Sequence, residues 1–300
     1  MTPSVLVVWI VTCAIWSTVW LFIKIGVRDV PPVTFAVFRL GAALAVLGPL
    51  TLVRGTPLPR NARDWRLIAA TGIVLLGVNY ALLNWGIQFI SSGLTAVLQA
   101  LTPAFGFVFA HALLHDEKMT RVKAVALLLG IAGVAAIFSH QLEVSGPSAL
   151  WGGIAVVAGS ACVAIVYVVM RRHGTHLHPS VVTSGQMLAA IGPLAGYAVL
   201  VEGNPLRVQW TTASALAVLY LAFLGSIVGA WLNYWLLKRI GATRLLVMGL
   251  IEPLIAVVLG AMLLGETMTG WTLAGGVCII VSVALVLDLF KRTPARPARL

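Results

Sequence analysis

Apolar runs of about twenty residues recur along the chain, separated by short polar breaks. They cover 4–24, 33–53, 66–88, 91–114, 121–139, 149–170, 179–201, 214–237, 243–264 and 271–290. About twenty residues at about 1.5 Å each cross the hydrocarbon core of a bilayer. The pattern therefore predicts ten transmembrane helices. The breaks hold turn-forming residues: Pro31-Pro32, Gly55 to Pro59, Ser91-Ser92-Gly93, Gly146-Pro147, His178-Pro179, Gly203-Asn204-Pro205 and Gly241. The third and fourth runs are parted only by Gln88 to Ser92. No stretch is left over for a soluble domain.

Composition agrees with the pattern. Sixty per cent of residues are apolar, 10% are charged, and the mean hydropathy is +1.01. A soluble domain carries about a quarter charged residues, so this reads as an all-α integral membrane protein whose standing partner is the lipid bilayer. The net charge of +11 suggests nucleic acid until the basic residues are placed. With both termini on one side, that side holds Arg54, Arg60, Arg63, Arg66, Lys118, Arg121, Lys123, Arg171, Arg172, Lys238, Arg239, Arg244, Lys291, Arg292, Arg296 and Arg299. The other side holds Lys24, Arg28 and Arg207. The positive-inside rule puts both termini in the cytoplasm. The charge is thus a topology signal with attraction to anionic headgroups, and no nucleic-acid partner is expected. The run from Ser4 lacks the basic flank of a cleavable signal peptide.

The second half repeats the first. Trp85, Pro103 and Leu113-Leu114 recur 150 residues later as Trp235, Pro253 and Leu263-Leu264. Glu117, Met119 and Thr120 recur 149 residues later as Glu266, Met268 and Thr269, and Lys24 with Pro32 recurs 147 later as Arg171 with Pro179. Each half holds five helices, an odd number, so the second enters the membrane with opposite orientation. That is an inverted repeat, the architecture of many secondary transporters, with the site near the midplane between the halves. The expected units are a first repeat at 1–143, a second at 144–292 and a basic cytoplasmic tail at 293–300.

Several motifs now carry a resemblance. They are Trp16-Ser17 followed by Lys24, then Arg39, then Pro103 followed by Glu117, and Glu252-Pro253 followed by Gly265-Glu266. In their order and repetition the chain resembles the drug/metabolite transporter superfamily, in its ten-helix bacterial form with two EamA-type repeats. The first repeat departs from the usual Gly-Glu by reading His115-Asp116-Glu117. The short loops and many intramembrane aromatics are similar to the superfamily's amino-acid exporters, those for aromatic amino acids included. The resemblance implies a multi-pass protein of the bacterial inner (cytoplasmic) membrane that exports small organic metabolites, foremost amino acids, as a monomer or homodimer.

Arg39 lies six residues inside the second run, roughly 9 Å deep. It reads either as a contact for a substrate carboxylate or gate pair, or as an arginine snorkelling to the outer interface. Glu252 lies near the midplane of the ninth run, where Pro253 frees the Gly249 carbonyl. A hydratable spot beside a carboxylate suits a proton or an ammonium group; the other reading is a protonated glutamate that shapes the kink. Pro103 and Pro253 are the shared kink positions, but Thr102 stands where the second half has Glu252. Trp16, Trp20, Asn79, Tyr80, Gln99, Tyr167 and Trp231 supply amide, hydroxyl and aromatic groups that suit an amino acid, or else glue and interfacial belts between helices. Glu117 and Glu266 read as structural, at turns that Thr120 and Thr269 would cap.

No cofactor is called for. Cys13, Cys162 and Cys278 lie in apolar runs without disulfide or zinc spacing. His173, His176 and His178 have no acid or thiol beside them in sequence, so no metal site is expected. A glycine-rich phosphate loop is lacking, so ATP is not used directly. A second function reading is an anion antiporter for sugar nucleotides or sugar phosphates, which would want two or more deep cations. A third is a membrane-embedded enzyme, which would want a catalytic cluster at one depth.

Overall fold

The computed structural model describes residues 3–113, 121–229, 231–232, 235–236, 239, 248–266 and 269–286; of residues 123, 137–146, 206, 249, 250 and 286 the backbone alone is described. Ten apolar helical stretches correspond to the ten runs. They are α1 (Pro3–Asp29), α2 (Pro32–Val53), α3 (Ala62–Gly86), α4 (Ser92–Leu113), α5 (Ala124–Ala136), α6 (Pro147–His173), α7 (Pro179–Glu202), α8 (Thr212–Val228), α9 (Met248–Leu264) and α10 (Gly270–Val286). No strand occurs among the described residues. Glu117 and the tail 293–300 lie outside them.

Local chemistry sets the helix ends. Pro32 and Pro179 open α2 and α7, where their missing N–H costs nothing. Asn61 caps α3, Ser91 caps α4, and Thr211 forms a reciprocal capping box with Ser214 at α8. Gly203 and Gly265 follow α7 and α9 with φ of 96° and 65°, a left-handed conformation that closes a helix without a Cβ penalty.

The expected break at Gly146-Pro147 takes another form. The backbone is helical without interruption from Arg121 to His173. A straight helix would separate Gly130 from Val156 by roughly 39 Å. Yet a Cβ on Gly130 would lie 3.4 Å from Leu101, and Gln99 Nε2 donates to the Val156 carbonyl at 3.4 Å. Gln99 and Leu101 are near neighbours in the chain, so the helix folds back between Gly130 and Val156. Gly146-Pro147 lies in that stretch, where a missing donor and a flexible residue let a helix bend. α5 and α6 remain two spans, joined without a loop.

Every helix of the first half packs against one of the second. Thr51 of α2 meets Ser184 of α7 at 3.3 Å, and Gln186 of α7 donates to Thr71 of α3 at 2.9 Å. A Cβ on Gly93 of α4 would lie 2.9 Å from Val257 of α9. Thr18 and Tyr220 join α1 to α8 by a 2.5 Å hydrogen bond, and Ser282 of α10 donates to the Ala126 carbonyl of α5 at 2.5 Å. Inside a bilayer there is little hydrophobic drive between helices, so small residues and hydrogen bonds carry the association. At Gly133 a Cβ would lie 2.7 Å from the Gly275 carbonyl oxygen, which leaves no room for a side chain. Gly133→Leu is therefore expected to destabilise the purified protein by about 1–3 kcal/mol in thermal unfolding. Unchanged stability would contradict the close α5–α10 contact.

Three helices contain a feature the sequence does not announce: α7 ends in π-helix over Ala198–Glu202, and two further π segments lie at matched places. α3 loosens into π-helix over Ile73–Val78, and α8 does so over Leu221–Val228. Their first residues are 148 apart and their last 150 apart, so the two segments occupy equivalent places in the inverted halves. π segments are rare and concentrate at functional sites.

Candidate functional site

The π segments of α3 and α8 flank a buried cation. Arg39, on α2, is only 4% exposed. Its guanidinium stacks 4.7 Å from the ring centre of Tyr80, two residues beyond the α3 π segment. Its Nε and Nη2 reach the Ser226 hydroxyl, within the α8 π segment, at 3.4 Å each. Ser226 in turn donates to the Leu221 carbonyl at 3.0 Å. Among the described residues no carboxylate pairs with Arg39. A guanidinium has five N–H donors, and one serine at long range leaves most of them unanswered. A buried charge so poorly paired is costly unless something else completes it.

From Tyr80 the site continues across the halves. Tyr167 on α6 interacts electrostatically with both Tyr80 and Glu252, and Glu252 on α9 does so with Cys13 on α1. Tyr167 is 62% accessible, and a helical wheel shows to what. Trp151, Ile154 and Ala158 form the exposed outer face of α6. Tyr167 is nine residues beyond Ala158, half a turn off that face at about 3.6 residues per turn. It therefore faces away from the outer face of α6, toward the other helices. Arg39, Tyr80, Tyr167 and Glu252 form a row contributed equally by the two halves.

Other expected residues fall beside this row or away from it. Asn79 is buried; its amide donates to the Leu75 carbonyl at 3.2 Å and its Oδ1 has no partner. Gly159 of α6 admits it, since a Cβ there would lie 2.7 Å from Asn79 Oδ1 and 3.4 Å from Gln99 Nε2. Asn79 and Gln99 thus share one recess. Trp16 packs between two core clusters, with its Nε1 beside Gly229. Trp20 is held in the first cluster with its Nε1 unpartnered. Trp231 is 59% exposed and is not brought to Arg39. Pro103 follows a break at Ala100–Leu101 between the helical segments Ser92–Gln99 and Thr102–Leu113, whereas Pro253 lies inside the uninterrupted α9. The two proline positions are equivalent in sequence but not in shape.

The outer ends are tied shut across the halves by residues that sequence reasoning undervalued. Glu266 accepts from Ser92 N at 2.8 and 3.0 Å and from Ser92 Oγ at 2.8 Å, which caps α4 rather than merely opening a turn. Glu202 accepts from Val33 N at 2.9 Å, Thr34 N at 2.7 Å and Thr34 Oγ1 at 2.8 Å, which caps α2. A carboxylate on a helix N-terminus meets free N–H groups and a favourable dipole. Lys24 spends its ammonium on the carbonyls of Ile87, Gln88 and Ile90 at the end of α3. Thr211 donates to Asp29 at 2.6 Å. The available signal was an acid at the end of each of two apolar runs, but the partner helix was not readable from it.

On the cytoplasmic side Asp64 meets His176 at 3.1 Å, so an acid does join the histidine loop. No group of three metal-binding side chains forms among the described residues. Thr269 caps α10 by accepting from Thr272 N at 3.2 Å. Two clefts lie away from the central row. One, of about 420 Å³, is lined by Lys24, Arg28, Asp29 and Gln88 at the outer end of α1. The other, of about 500 Å³, opens among α2, α7 and α8.

Comparison with known proteins places this architecture. The chain is 31% identical to the uncharacterized inner membrane transporter YedA of Escherichia coli (strain K12), over 94% of this chain and 90% of that one. It is 27% identical to the probable amino-acid metabolite efflux pump of Salmonella typhimurium (strain LT2), over 95% and 94%. A solved crystal structure superposes with a TM-score of 0.65 at 21% identity, covering 97% of this chain and 99% of the other, and shows the same fold. The profile of the EamA-like transporter family matches residues 3–139 and 150–288, one match per repeat. The chain is a multi-pass inner-membrane protein, and it belongs to the EamA-like transporter family.

Proposed function

We propose that this transporter exports small α-amino carboxylates by alternating access. The observation that carries the reading is Arg39, buried and facing no acid, at one end of a row that ends in Glu252. The carboxylate of the solute would take the open donors of the guanidinium, and its ammonium would lie toward Glu252 and Tyr167. Tyr80 and the tryptophans of α1 would face its side chain. The likeness to a probable amino-acid metabolite efflux pump adds support. The sugar-phosphate alternative is disfavoured because it wants a second deep cation, and Lys24 is already held by three carbonyls. One chain carries the whole row, so a monomer would suffice.

The mechanism follows from the inverted halves. The caps of Glu202 and Glu266 tie the outer ends of the halves together, so the outer side would be closed and solute would reach Tyr167 from within. Solute would bind at Arg39 in this state. Rocking of the halves would then release the outer caps, and the bend between α5 and α6 joins the two moving units.

Purified protein in liposomes tests the proposal. Labelled amino acids are expected to undergo counterflow, and labelled sugar nucleotides are not. Failure to move any amino acid would discredit it. Glu252→Gln is expected to weaken counterflow at equal pH, because the ammonium loses its charged partner, and to lose accumulation driven by an imposed pH gradient altogether. Gradient-driven accumulation equal to wild type would remove Glu252 from proton coupling.

A further inference from the structure

The cleft of about 500 Å³ among α2, α7 and α8 lies on the seam between the halves. Its floor is made by the small residues Gly41, Ala42 and Ala215, and a Cβ on Gly41 would meet nothing within 4 Å. Phe38 and Trp210 form its rim as an edge-to-face pair, 4.9 Å between ring centres. Leu216, Leu219 and Phe223 mark the exposed apolar face of α8, so the cleft opens toward the hydrocarbon. Its depth fits the outer leaflet: Val37 to Ala42 sit roughly 8–15 Å below the start of α2, and Trp210 stands where an interfacial aromatic belongs. Three residues before Trp210, Arg207 is exposed, and among the described residues its guanidinium has no partner. Among the outer basic residues Lys24 is already spent on backbone carbonyls, which Arg207 is not.

We infer that this cleft holds one acyl chain of an anionic outer-leaflet phospholipid whose phosphate pairs with Arg207. The chain lies between α2 of the first half and α7 and α8 of the second. It covers Phe38, the residue that precedes the buried Arg39. A lipid so placed wedges the seam and stabilises the outward-closed arrangement, which makes stability sensitive to headgroup charge. The occupant is a lipid because apolar floor, interfacial tryptophan and free cation stack in the order tail, interface and headgroup.

The test uses the full chain in neutral detergent, titrated with phosphatidylglycerol or phosphatidylcholine, and reads retained lipid by native mass spectrometry together with thermal stability. Wild type is expected to retain one phosphatidylglycerol and to be stabilised by it more than by phosphatidylcholine. Arg207→Gln is expected to weaken that preference about fivefold, equivalent to ~1 kcal/mol, while still accepting a tail. Gly41→Leu fills the floor and is expected to lose retention of both lipids. Equal retention of both lipids by wild type would overturn the inference. So would unchanged retention in folded Gly41→Leu. If Gly41→Leu fails to fold, Arg207→Gln decides alone, and an unaltered headgroup preference there overturns the inference. A lipid-free dimer lost in Gly41→Leu would assign the cleft to a second copy of the chain instead.

Discussion

Arg39→Gln is expected to lower counterflow of an α-amino carboxylate at least tenfold while leaving the protein folded. Charge-assisted hydrogen bonds contribute about 1.5–3 kcal/mol, and about 1.4 kcal/mol is a factor of ten in affinity. The partners that Arg39 has without solute are weak: one hydroxyl at 3.4 Å and the face of Tyr80. Replacing a poorly paired buried charge with a neutral side chain relieves desolvation, so thermal stability should hold or rise. Arg39→Lys keeps the charge but loses the planar fork and its stacking on Tyr80, and should fall between the two. If Arg39 were only a snorkelling or packing residue, Arg39→Gln would lower stability and leave solute affinity unchanged.

The second large effect concerns the outer closure. Glu266→Gln removes the charge that holds Ser92 N and Ser92 Oγ, and it leaves one acceptor oxygen where the carboxylate has two. The loss is roughly 2 kcal/mol of the outward-closed state. A shift of that size changes the ratio of closed to open molecules about thirtyfold. Thr95→Cys, one turn below the cap on a buried face of α4, reports the opening in a background without native cysteines. Its labelling by an impermeant thiol reagent from the outer side should quicken at least tenfold with Glu266→Gln and stay slow with Glu266→Asp. Equal labelling with and without Glu266→Gln would mean that the cap does not gate the outer side.

The spans, their orientation and the duplication are legible in the sequence because each depends on local composition. A run such as 33–53 must cross the membrane whatever it touches, and α2 is found at Pro32–Val53. The parity argument that inverts the second half needs only a count of such runs. What escaped notice depends on partners far apart in the chain. Glu266 reads as a turn residue, and Glu202 does not stand out at all, until the N-termini of α4 and α2 are seen to meet them. The π segments carry no residue type that marks them in the sequence. Gly146-Pro147 reads as a loop because that dipeptide breaks most helices, and the compact return of α6 onto α4 turns it into a bend. Within the site, Arg39, Tyr80, Tyr167 and Glu252 were visible as polar groups in apolar runs, and Ser226, which joins Arg39 to α8, was not.

The central claim is that the inverted halves hold the carboxylate of a solute at Arg39. It is tested most directly by comparing an amino acid with its α-carboxamide in wild-type proteoliposomes under counterflow. The free amino acid should enter at least tenfold faster than the carboxamide, and Arg39→Gln should abolish that difference. Equal entry of the two solutes through the wild-type protein would contradict the account.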